Sequence, residues 1–151
     1  RKGPAARCMR KCYDAYDRSL ALRYDNAMVL NNYAYFLSLE GRDLERALAM
    51  AGRAIVLEEN NPTYLDTYAW VLYRLGRYDE AKKTMQQALS LDRSQSPDLQ
   101  LHYGDILAAL GEKFMAEVYW KKALEGGYDD PDAIVERFRR LKEAAQTPAA
   151  P

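Results

Sequence analysis

Three blocks of this chain repeat with a period of about 35 residues, and that periodicity limits the possible folds more than any single residue does. Tyr33, Ala34 and Leu37 lead to Gly41. Tyr68, Ala69 and Leu72 lead to Gly76, and Tyr103, Gly104 and Leu107 lead to Gly111. After each glycine comes a second ladder: Ala47, Ala51 and Ala54, then Ala81, Met85 and Ala88, then Ala116, Trp120 and Ala123. A unit this short cannot bury its own apolar face, so copies must stack, and stacking leaves an inner surface open for binding.

Each unit reads as two helices. Leu65, Tyr68, Ala69, Leu72 and Leu75 form the i, i+3, i+4, i+7 stripe of an amphipathic helix that stops at Gly76. The second helix opens on Tyr78, Asp79 and Glu80, whose carboxylates complement the helix dipole, and ends before Pro97. Pro62 and Pro97 stand at first helical positions, where a missing N–H costs nothing. The glycines at 41, 76 and 111 suit a left-handed turn between helices. Residues 5–23 fit the second helix of an earlier unit, with Cys12, Tyr16 and Ser19 in the ladder columns, so the chain starts in mid-repeat. At the other end Ile134, Val135, Phe138 and Leu141 form an apolar stripe, with Glu136, Arg137, Arg139 and Arg140 expected on the solvated side of a capping helix.

This pattern, with the Ala-x3-large-x2-Ala ladder recurring three times in phase, resembles the tetratricopeptide repeat family over residues 5–125. It is similar to C-terminal repeats of long bacterial members. The resemblance implies an all-α, right-handed α-α superhelix of about three and a half repeats plus the capping helix. It would be one domain over 1–145: residues 5–23 a partial repeat, 27–61, 62–96 and 97–127 full repeats, 131–145 the cap and 146–151 a disordered tail. Departures from the family pattern are the tyrosines at 33, 68 and 103 where Leu is usual, and a missing Pro at the end of the second helices. One extra residue also separates Gly41 from Ala47, which predicts an altered first turn.

In the family the first helices line the concave face. Carried over by position, the exposed lining is expected to include Asn31, Asn32 and Tyr35, then Asp66, Thr67, Trp70, Tyr73 and Arg74, then His102 and Asp105, with Met28, Leu39 and Thr63 beside them. Some relatives clamp acidic chaperone tails with Lys, Arg and Asn. Here Asn31, Tyr35, Thr67, Asp98 and His102 hold those places, and no Lys or Arg is among them. Asp66 and Asp105 beside Tyr35, Trp70 and Tyr73 suit instead a peptide carrying basic and apolar residues. The expected function is a non-catalytic protein-interaction scaffold. The alternatives are an assembly module of a larger, cell-envelope complex using repeat edges and, more remotely, a glycan binder.

Composition excludes other classes. A chain 48% hydrophobic and 29% charged has material for a continuous core. Net charge is zero; the first 23 residues carry seven basic and two acidic side chains, and residues 24–61 carry three and six. That is not the one-sided field nucleic acid requires, so no such partner is expected. No apolar run reaches the roughly 18 residues of a membrane span. The chain begins at Arg1 without Met, as a fragment or processed product would, leaving room for an upstream signal. Family resemblance leans localisation toward the bacterial envelope or periplasm, with the cytoplasm as alternative. Cys8 and Cys12 share a helical face, but His102 is the single histidine, so no metal site is expected. His102, Asp105 and Asp66 lack an accompanying nucleophile or phosphate loop, so neither catalysis nor a cofactor is expected. Met9, Tyr13 and Leu20 would form a partly uncovered face, favouring self-association through the N-terminal edge.

Overall fold

The computed structural model describes residues 6–22 and 25–147, with side chains described from Arg10 to Ser19 and from Asp25 onward. The side chains of Cys8, Met9 and Leu20 and the tail residues 148–151 lie outside the described residues. Among the described residues there are eight helices and no strand, the all-α class expected. Contacts gather the chain into two compact units, one ending at Arg93 and the other beginning at Ser94.

The first unit holds α1 (Ala6–Leu22), α2 (Ala27–Glu40), α3 (Leu44–Leu57), α4 (Pro62–Arg74) and α5 (Tyr78–Leu91). Helices α2 with α3 and α4 with α5 are hairpins, α4 also packs on α2 and α3, and α1 covers α2. Close approach within a hairpin requires small side chains at the crossing, and Ala34, Ala47, Ala51, Ala54, Ala69, Ala81 and Ala88 are all fully buried. At the N-terminal end the packing is aromatic. Tyr13 stacks on Tyr33 at 5.2 Å, and Tyr16 meets Tyr33 at 5.4 Å and Phe36 at 6.3 Å. Tyr13 is therefore buried, correcting the expectation that it belongs to an uncovered face. Cys12 is a free thiol and only half-buried, unlike the fully buried Ala47, Ala81 and Ala116 of its column.

Local chemistry fixes the helix ends. Asn61 Oδ1 accepts hydrogen bonds from the amides of Thr63 (3.0 Å) and Tyr64 (3.2 Å), and Pro62 follows it at the first helical position. At the other end of α4, Gly76 adopts φ +80° and the Arg77 amide donates to Leu72 O at 2.9 Å, which closes a Schellman turn. The first hairpin repeats this with Gly41 at φ +68°. Its extra residue is absorbed at Asp43, which sits in the left-handed region at φ +49° as the residue before α3 and makes no side-chain capping bond. The altered first turn is thus one left-handed aspartate.

The second unit holds α6 (Pro97–Ala109), α7 (Lys113–Glu125) and α8 (Pro131–Gln146). Helices α6 and α7 form the hairpin and α8 packs on α7, with Ile134 fully buried and Phe138 edge-on to Trp120 at 5.6 Å. Trp120 and the alanines at 116 and 123 fill the ladder as expected. Val135 does not join the buried stripe; it is exposed, because a helix rotates about 100° per residue and the stripe from Ile134 continues through 137, 138 and 141. On the outer side of α8, Arg139 and Arg140 hydrogen-bond to Glu136, at 3.1 Å for Arg140. Those bonds, Arg139's foremost, outweigh some desolvation and bring the Glu136 carboxyl down from 4.5 to about 2. A depressed carboxylate favours the folded helix above pH 4.5, and that contribution fades as pH falls toward 2. A carbonyl-detected NMR titration should find Glu136 still ionised at pH 3; a midpoint near 4.5 would mean the pairs do not persist in solution.

Candidate functional site

The face expected to line a groove is carried by the first helices of the hairpins, α2 and α4 in the first unit and α6 in the second. Most of its expected members are not exposed. Asn31, Tyr35, Asp66, Thr67, His102 and Asp105 are each at most 9% accessible, which corrects their assignment as open lining. For α2 the reason lies in its neighbours, since α1, α3 and α4 all pack on it and leave only a narrow free strip. Asn31 Nδ2 donates to Asn32 Oδ1 at 3.4 Å, and Ser38 donates to Tyr35 O within the same helix. On α4, Thr67 Oγ1 donates back to Thr63 O at 3.3 Å, a satisfied hydroxyl turned onto its own helix.

Asp105 is committed within its own unit. Arg137 of α8 grips it with two parallel bonds, Nε to Oδ1 at 2.7 Å and Nη2 to Oδ2 at 2.9 Å, and Trp120 Nε1 donates to Oδ1 at 2.9 Å. Arg137 Nη1 also donates to Ala133 O at 2.9 Å. A bidentate pair of this kind fixes geometry as well as charge, so one carboxylate ties α6, α7 and α8 together. Sequence reasoning put Arg137 on the solvated side. The signal that could have placed it correctly is its spacing, i+3 from Ile134 and one residue before Phe138, inside the buried stripe.

What stays accessible on the first unit's face is smaller and less acidic than expected. Met28 and Leu39 of α2 are exposed, Asn32 is half-buried, and on α4 Thr63 and Arg74 are exposed. Trp70 and Tyr73 are half-buried and stacked, with centroids 4.6 Å apart and planes at 23°, and Tyr73 also meets Tyr78 at 5.6 Å. Arg74 Nε donates to Ser38 O at 3.0 Å, joining the end of α4 to the end of α2. This leaves an aromatic pair and a guanidinium side by side on one helix. Among the described residues, no group of three or more His, Cys, Asp or Glu could hold a metal ion, and no helix is long and apolar enough to cross a membrane.

The comparison that decides the repeat's identity is a family model, described as a tetratricopeptide repeat (TPR), that matches residues 62–94, the hairpin of α4 and α5. This hairpin is a tetratricopeptide repeat. A TPR repeat-containing protein of Pseudomonas aeruginosa is 30% identical over 86 residues, a stretch that covers 57% of this chain and 14% of that protein. The chain therefore spans a small part of this relative's length. Among solved structures, the type III secretion translocator chaperone SycD of Yersinia enterocolitica matches with a TM-score of 0.66 at 19% identity, covering 82% of this chain and 96% of that one. The first TPR of Spaghetti (RPAP3), bound to an HSP90 peptide, matches with a TM-score of 0.67 at 19% identity over 80% of this chain and 94% of that one. At such identities the likeness is one of fold, and the fold is that of TPR proteins.

Proposed function

We propose that this chain is a protein-interaction scaffold without chemistry of its own, which holds a peptide or partner helix on the first-helix face of its first unit. The observation that carries this reading is the stacked, half-buried Trp70–Tyr73 pair beside the exposed Arg74. Rigid aromatics give large contact area at low entropic cost, and Trp, Tyr and Arg are the residues in which interface energy concentrates. A TPR domain of the same fold is known in complex with a peptide, which supports the reading by analogy. The basic peptide expected from sequence loses its rationale, since Asp66 is buried and Asp105 is engaged by Arg137. The partner that fits lays apolar residues across Trp70 and Tyr73 and presents a carboxylate or carbonyl to the remaining N–H groups of Arg74.

Selection from a random peptide library, followed by titration, tests this. Trp70→Ala should weaken the selected peptides at least tenfold, about 1.4 kcal/mol, with an unchanged helical spectrum. Equal affinity for parent and variant would reject the face. One observation favours assembly through the second helices instead. Phe114, at the start of α7, is 76% exposed and Met115 beside it is 42% exposed. If Phe114→Glu removes partner binding while Trp70→Ala does not, the edge is the functional surface.

A further inference from the structure

A second polar feature of the first unit is lined by residues other than Trp70, Tyr73 and Arg74. Helices α1, α2 and α3 enclose a basin of about 370 Å³ whose lining includes Tyr13, Arg10 and Asp14 from α1, Glu40 and Arg42 at the end of α2, and Asp43 before α3. The structure closes part of this charge internally. Arg46 pairs with Asp17 at 3.1 Å, donates to Tyr33 Oη at 3.1 Å and lies over the Tyr33 ring. Arg42 lies over the Tyr13 ring, 5.4 Å from its centroid, and reaches Glu40 only at 3.5 Å. Arg10, Asp14 and Asp43 make no ion pair among the described residues.

At the wall of this basin is a group that folding alone leaves unsatisfied. Tyr13 is 7% exposed, and its buried Oη makes no close hydrogen bond, although it faces the Glu40 carboxylate. An orphaned buried hydroxyl costs on the order of 1–3 kcal/mol, and removing it would be an easy improvement if packing were its whole purpose. Burial, and then the nearby Glu40 carboxylate, push the phenol's pKa up, so it stays a proton donor at any physiological pH. Asp43 adds a second local cost, because it holds a left-handed φ of +49° with no capping bond to show for it.

We infer that the basin is a binding site for a small zwitterion of the basic amino-acid type, either free or as the C-terminal residue of a peptide. Its carboxylate would meet Arg10, the loosely held Arg42 and the Tyr13 hydroxyl, and its cationic end would meet Asp14 and Asp43. A purely anionic ligand would face four basin carboxylates, of which Asp17 and Glu40 are paired with Arg46 and Arg42 while Asp14 and Asp43 would be left without a cation. A purely cationic one would face Arg10 and Arg42 and leave the Tyr13 donor unused. Only a ligand with both charges answers every open group.

The test is an NMR titration of the full chain with L-arginine, following the Tyr13 and Tyr33 ring signals and the Arg46 Nε–H. Saturable shifts at millimolar arginine are expected, at least tenfold weaker with agmatine, which lacks the carboxylate, and also weaker with Asp43→Asn. Tyr13→Phe keeps the ring stack and should abolish saturation. A peptide ending in arginine with its N-terminus acetylated separates the two sources: binding as tight as free arginine points to a chain end, and binding by free arginine alone to the amino acid. Absence of saturation with arginine and the peptide alike overturns the site. So does a Tyr13→Phe variant that melts higher and still binds, because the hydroxyl would then be a packing defect.

Discussion

Asp105→Ala is expected to destabilise the second unit by about 3–5 kcal/mol, the range found when one partner of a buried ion pair is removed. The carboxylate is 9% exposed and accepts three hydrogen bonds, two from Arg137 and one from Trp120. Deleting it leaves a partly buried guanidinium without a counter-ion and an indole N–H facing apolar surroundings. The indole N–H regains no water, and the guanidinium only part of its hydration, so the loss exceeds that of the bonds alone. Thermal unfolding followed in the near-UV, where Trp120 reports, would show the loss as an earlier transition of the second unit. Asp105→Asn keeps one acceptor and should cost less. If alanine and asparagine variants melt together with the parent, the three-helix tie contributes nothing, and Arg137 is an ordinary surface residue.

Gly104→Ala is the second large effect, and its sign is decided by two opposing magnitudes. In an isolated helix the change would help by roughly 1 kcal/mol, since alanine is the better helix former. Here the added Cβ would stand 2.4 Å from Trp120 Cδ1 and 2.6 Å from its Nε1, distances no real contact tolerates. Trp120 cannot easily withdraw, because its Nε1 is bonded to Asp105 and its ring meets Phe138. Overpacking of this kind costs about 1–3 kcal/mol, more where the neighbour is held, so a net loss is expected. A variant that melts at or above the parent would show that α7 can slide to make room. The two substitutions share Trp120, so their effects should not add. Freed from Asp105, the indole can swing aside, and the double variant should be less destabilised than the sum of the single ones.

The fold was legible in the sequence because it rests on period and size. Alanine at the helix crossings and glycine where the turn needs a left-handed residue are local requirements, and each appears in the residue order itself. Even the extra residue after Gly41 announced an altered turn, although only the structure shows that Asp43 carries it. The site was less legible for the opposite reason. Whether Asp66 or Asp105 faces solvent depends on what lies across from it, and helical position says nothing about a partner thirty residues away. Asp105 looked like an open groove acid until Arg137, 32 residues later, is seen to occupy it. Tyr13 illustrates the same limit from the other side. Its expected exposure assumed that α1 had lost its only cover, whereas the tyrosines at 13 and 33 stack and bury one another.

The arginine that reaches back from α8 also bears on where this polypeptide can be cut. A segment ending at Gly127 would contain every repeat recognised by pattern, and a boundary drawn by motif alone would fall there. Such a piece would uncover the Asp105 carboxylate, the rim of Trp120 and the site of Ile134 together, leaving a charged and sticky surface where the native chain has a sealed one. Segments carried through Gln146 should remain monodisperse, while those stopping at the last glycine pair should aggregate or recruit a foreign helix to fill the gap.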